Sequence, residues 1–121
     1  MTRQIFFDQK ISVYELNQND QLVVINGYHM YEPFRDYSFS DFDSSIIKTR
    51  KITHIGQSDG ESGCGHDIFT FTNSGSFNMT IIDLGCYNTF YNITIKVKPY
   101  DINSSENNDK ENQKNSVCVL L

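Results

Sequence analysis

"DIFTFTNSGSFNMTIIDL", residues 67–84, holds two strands and the turn that joins them. Phe69 and Phe71 share one parity, with Ile68, Thr70 and Thr72 on the other. After Asn73, Ser74 and Gly75 the alternation resumes, with Phe77, Met79 and Ile81 set against Asn78 and Thr80. A period of two belongs to a strand, whose successive side chains point to opposite faces. Asn-Ser-Gly supplies the turn chemistry between two such runs. A third run, "NITIKVK" at 92–98, sets Ile93, Ile95 and Val97 against Asn92, Thr94, Lys96 and Lys98. Neighbouring strands of this kind predict an antiparallel sheet with one dry and one wet face.

Upstream the periods are also short. "SIIKTRKITHI" at 45–55 predicts one strand or two, and "FRDYSFSDF" at 34–42 a strand near 35–40. "QLVVI" at 21–25 is a compact apolar run, the mark of a strand buried on both faces. "NQND" at 17–20 reads as a turn before it, and "NGYHMYEP" at 26–33 as a loop after it. "IFFD" at 5–8 and "ISVYEL" at 11–16 add two short strands. Seven or eight strands at roughly ten-residue spacing predict an all-β, Ig-like antiparallel β-sandwich, with a small barrel as the alternative. Residues 1–100 form that domain. Residues 101–121 are polar until their end, cannot repay the entropy of ordering, and are expected to be a disordered, flexible tether.

Composition narrows function. The chain has 121 residues, nine Phe, seven Tyr, no Trp and a net charge of −5. It has no basic stripe of the kind that phosphate binding requires, so no nucleic-acid partner is expected. Lys48, Arg50 and Lys51 divide between two faces of a strand. "MTRQIFFDQK" lacks the apolar core of a signal peptide, and no run is long enough for a transmembrane helix. A cytoplasmic protein is the expectation, with Cys64, Cys86 and Cys118 reduced. The three N-x-S/T triplets at Asn78, Asn92 and Asn103 then arise from an Asn-rich composition.

The chain ends in "CVLL", in which Cys118 opens a Cys-aliphatic-aliphatic-X box and Leu121 favours geranylgeranylation. The expected partners are a prenyltransferase and, through the lipid, the cytosolic face of a membrane. One lipid gives reversible binding, and the tether is acidic, so it adds no electrostatic attraction to an anionic leaflet.

Between 56 and 65 stand four glycines, in "GQSDGESGCG". A phosphate-cradling loop would need a lysine and a following helix, whereas a strand follows here. Cys64 and His66 form a single C-x-H pair, with Cys86, His54 and His29 elsewhere, so no metal site is expected. No acid orients Cys64 as a nucleophile, and no catalytic residue or cofactor is assigned.

The stretch "GESGCGHDIFTFTNSGSFNMTIIDLGCY" resembles the second half of the chagasin-type inhibitors of papain-like cysteine peptidases. Gly60, Gly63, Cys64 and Gly65 match that family's glycine-rich loop, Gly75 matches its turn, and Tyr87 stands where its Trp would be. Gly85, Cys86 and Tyr87 replace the family's Arg-Pro-Trp. Its Asn-Pro-Thr-Thr-Gly loop has no counterpart, and the nearest place is 26–33. The resemblance implies an inhibitor, not an enzyme, that wedges three loops at one end of the sandwich into a peptidase cleft. It implies contacts by Tyr28, His29, Tyr31, Gly60, Gly63, Cys64, Gly65, Gly85, Cys86 and Tyr87. The alternative is a prenylated Ig-like interaction module without inhibitory activity.

Overall fold

A computed structural model describes residues 2–29, 32–41, 43–55, 62–85 and 88–100. The expected tether and its Cys118 lie outside these residues, as do Tyr31, Gly60, Cys86 and Tyr87. The described chain is an all-β sandwich. Its strands are β1 (Gln4–Phe6), β2 (Val13–Asn17), β3 (Gln21–His29), β4 (Glu32–Pro33), β5 (Arg35–Phe39), β6 (Ile46–Ile55), β7 (Ser62–Phe71), β8 (Gly75–Asp83) and β9 (Thr89–Lys98). One sheet runs β1-β3-β7-β6, with β4 also on β3, and the other runs β2-β9-β8-β5.

The alternation read from the sequence builds the core. Phe69, Phe71, Met79, Ile81, Ile93, Ile95 and Val97 are buried between the sheets with Tyr14, Leu16, Leu22 and Val24. Tyr37 and Phe39 join them from β5, both packing edge-on against Phe69. Each large side chain removed from water contributes about 1.5–3 kcal/mol, which makes this cluster the main source of stability. Leu22, Val23 and Val24 are all buried, but Ile25 is exposed, so "QLVVI" is covered on both faces only at its centre.

The two outer faces differ. That of the β2-β9-β8-β5 sheet carries a polar ladder, Thr80 donating to Asn92 and Thr94 to Asn78 between β8 and β9, beside exposed Val13 and Phe90. That of the other sheet carries exposed Phe6, Ile25 and Ile47.

Three expectations are corrected. Residues 26–33 do not begin a loop at Asn26, because β3 runs on to His29 and stays in register with β7, His29 facing Ser62. Asn26 turns inward and is hydrogen-bonded, and the Phe34 ring covers Gly27, so two turn-forming residues are held in a strand. The strand expected to begin at Asp67 begins at Ser62, which takes Gly63, Cys64 and Gly65 out of the loop. The sheets are also mixed: β1 pairs parallel with β3, and β2 parallel with β9. The chain changes sheet between β1 and β2, and each segment adds to an edge in the direction in which it already runs.

The β6 edge is blunted. β6 points Lys48 and Arg50 inward, over the Tyr37 ring and onto Asp67, and its pairing with β7 shifts between Ile52 and His54. Inward charges and bulges discourage strand addition by a second chain.

Candidate functional site: the loop end

Register places three connections at one end. His29 at the end of β3 faces Ser62, Ile55 at the end of β6 faces Gly63, and Asp83 at the end of β8 faces Thr89. The sheets are joined there through Phe34, whose N–H donates to the Gly27 carbonyl (2.8 Å) and whose carbonyl accepts from the Leu84 N–H (2.7 Å). The connections at 30–31, 56–61 and 84–88 therefore leave from the same end. At the opposite end β9 closes on the 17–20 turn, where the Gln18 N–H donates to the Lys98 carbonyl and the Tyr100 N–H to Gln18 Oε1. The chain beyond Tyr100 departs from that far end.

The glycines at 63 and 65 have a local cause. At the bulge the β6 backbone crowds β7. A Cβ on Gly63 would collide with the His54 carbonyl and lie 2.8 Å from the Tyr28 hydroxyl, and one on Gly65 would lie 2.5 Å from the Lys51 carbonyl. Only glycine fits so close a backbone approach.

Of the residues singled out from the sequence, Tyr28, His29, Gly63, Cys64 and Gly65 gather on neighbouring strands at this end. Tyr28 is half-buried against Gly63, and His29 Nδ1 sits 2.7 Å from Ser62 Oγ. Cys64 is a free thiol 3.6 Å from Thr53 Oγ1, on the outer face of its sheet with His66. Gly85 belongs to the other sheet's connection, its N–H donating to Asp83 Oδ1 (3.1 Å). Among the described residues no group of three His, Cys, Asp or Glu comes together as a metal site would require.

Beneath this end lies a polar cluster that sequence reasoning missed. Asp67 is fully buried on β7. It accepts from Asn26 Nδ2 of β3 (2.7 Å), from the Tyr37 hydroxyl of β5 in a short bond, and from Arg50 Nε of β6 (2.7 Å). Burial pushes the Asp67 carboxyl up, but the bonds from Arg50, Tyr37 and Asn26 outweigh it and hold the group below its ordinary value. Burial, then the bond to Asp67, pushes the Tyr37 hydroxyl far up, and Asp67 raises Arg50 in turn. The cluster is thus a carboxylate, a neutral phenol and a guanidinium. The signal for it was parity: Asp67 falls on the same alternation as Phe69 and Phe71.

Two large apolar side chains at this end were not assigned to the site. Phe34 is 45% exposed and Leu84 46% exposed, although their main chains are bonded to one another.

No protein-family profile matches this chain, and no curated protein matches it. Solved structures do. The cysteine protease inhibitor EhICP2 from Entamoeba histolytica superposes with a TM-score of 0.53 at 6% identity, over 80% of this chain and 96% of that one. Amebosin gives 0.47 at 12% identity, over 83% and 99% of the two chains. PbICP-C, solved in complex with falcipain-2, gives 0.38 at 10% identity, over 83% and 92%. At such identities the likeness to EhICP2 establishes a shared fold.

Proposed function

We propose that this chain is a chagasin-like inhibitor of papain-like cysteine peptidases. The observation that carries the reading is the sandwich it shares with EhICP2, itself a cysteine protease inhibitor, over nearly all of that protein. The gathering of three connections at one end supports it. In this reading residues 1–100 are the inhibitory domain. The segment 56–61 with Gly60 lies over the peptidase's catalytic thiol, and Gly63, Cys64 and Gly65, held in β7, form its root. Tyr28, His29 and Tyr31 on one side, and Gly85, Cys86 and Tyr87 on the other, hold it to the cleft walls. Aromatic side chains with two torsions anchor such contacts at modest entropic cost. The inhibitor blocks by occupancy and performs no chemistry of its own.

Residues 101–121 serve as a tether, prenylated at Cys118 and reversibly bound to the cytosolic face of a membrane. The root of the tail at the far end from the loops suits this, since a chain anchored there leaves the loop end free.

The test is a titration of papain with the full-length protein. Progress curves should slow at submicromolar inhibitor. Unchanged rates at micromolar protein would sink the reading and leave the non-inhibitory interaction module in its place. For the tail, Cys118→Ser should move the protein from membrane to soluble fractions in a eukaryotic cell. Equal partitioning of the two forms would remove the lipid.

A further inference from the structure

The Asp67 cluster is linked, through the strands that carry them, to every connection at the loop end. Asn26 brackets one residue of β5: its Oδ1 accepts from the Arg35 N–H (2.9 Å) and its Nδ2 donates to the Arg35 carbonyl (3.0 Å). This pins the start of β5 to β3 on the far side of 30–31. Phe34, next in the chain, carries the junction to Leu84 and so to the 84–88 connection. Asp67 then ties Asn26 to β7, and Arg50 ties Asp67 to β6, which together form the hairpin that carries 56–61. Tyr37 adds a further bond between the sheets, from β5 to Asp67. Among the described residues every buried side-chain polar atom is satisfied.

Stability alone does not call for such a cluster. A buried ion pair gains little over well-packed apolar residues of the same volume, because desolvation offsets the attraction. Apolar packing, however, tolerates sliding. Hydrogen bonds at 2.7–3.0 Å from four strands on one carboxylate and one amide do not. Binding by preformed loops gains affinity from being held in place in advance, and displacement of about 1 Å is enough to lose much of it.

We propose that Asp67 and Asn26 are positioning residues. They set the mutual spacing of the three loop roots, so that the fit of the loop end to a peptidase depends on side chains that never reach it. The proposal rests on the inhibitor reading for its functional half and on the structure alone for its mechanical half.

The experiment compares full-length wild type with Asp67→Asn, Tyr37→Phe and Ile95→Val, the last a core truncation outside the cluster. Papain inhibition is measured where denaturation curves show each protein folded. Amide exchange is read at Arg35 and Leu84, whose N–H groups bond to Asn26 and Phe34. Asp67→Asn should weaken inhibition by about tenfold or more and speed exchange at both amides, since misplacement on the scale of 1 Å has effects of that size. Tyr37→Phe should do the same to a smaller extent, and it carries the test alone if Asp67→Asn fails to fold. Ile95→Val should lower stability and leave both readouts at wild-type values. Unchanged inhibition and exchange in the cluster variants, or an equal loss in Ile95→Val, would overturn the proposal. If wild type does not inhibit at all, the inhibitor reading falls and the exchange data decide by themselves. Faster exchange at those amides in the cluster variants alone upholds the positioning role, and wild-type exchange ends it.

Discussion

Asp67 and Asp20 are both buried carboxylates held by an arginine, yet they organise their surroundings on different scales. Asp20 secures a corner at the tail end. Its Oδ2 accepts from the Asn17 N–H (2.8 Å) three residues back, and its carboxylate takes the N–H (3.0 Å) and guanidinium (2.9 Å) of Arg3, which stands just before β1 and 17 residues away. These partners close one turn and pin the N-terminus to it. The partners of Asp67 lie 17, 30 and 41 residues away, on three other strands in both sheets. The first is a local brace and the second a joint between layers. The same functional group, in pairs of similar exposure, fixes a turn in one place and the spacing of a whole end of the molecule in the other.

Asp67→Ala should be the most damaging change at either carboxylate. It strands Arg50, Tyr37 and Asn26 together, and breaking one side of a buried pair costs about 3–5 kcal/mol. A partly exposed Arg50 places the loss near the lower figure, to be read from urea denaturation. Asp20→Ala should cost less, about 1–3 kcal/mol, the range for leaving buried donors unmatched. Arg3 is 37% exposed and regains water. Equal losses in the two variants would erase the distinction.

The pH dependence sharpens it further. The Asp67 carboxyl is depressed below its ordinary 3.8, so its contribution is complete above that value and fades as pH falls through the lower folded one. The Tyr37 hydroxyl is raised above 10.0, so its contribution is complete below pH 10 and fades as pH climbs beyond it. Each group alone changes the unfolding free energy, read from urea denaturation, with a limiting slope of about 1.4 kcal/mol per pH unit. Asp67→Asn should flatten the acid limb and Tyr37→Phe the alkaline one. Limbs that persist in these variants would assign them to other groups.

The smallest effect is expected on the wet face. Thr80→Ala removes one exposed bond to Asn92 and should shift stability by no more than about 0.5 kcal/mol. A larger loss would mean that this face is more than a solvated surface.

Much of this was legible beforehand. The parity of Phe69, Phe71, Phe77, Met79, Ile81, Ile93, Ile95 and Val97 named the dry face before any coordinates, and "NQND" announced the corner that Asp20 braces. The candidate site was legible only in part. Gly63 and Gly65 stood out as unusual, but they read as loop, because the bulge in β6 that demands them lies about eleven residues upstream. Asp67 sat on the core parity and was passed over as the opening residue of a strand, since nothing near it in the chain is its partner. Phe34 stood out only as one of the aromatics of 34–42 and Leu84 not at all, as an exposed apolar residue looks like any other until its neighbours are known.

Alternation is a local property, imposed by the pleat one residue at a time. The sequence by itself therefore determined that the chain is all strand, where most strands lie and which side of each is dry. Pairing is not local. Only the tertiary structure decided that β3 runs through Asn26 and Gly27, that β7 begins at Ser62, that two pairs are parallel, and that the loops and the tail leave from opposite ends. At Asn26 and Gly27, and again at Gly63 and Gly65, bonds to neighbouring strands distant in the chain override a local preference worth about 1 kcal/mol.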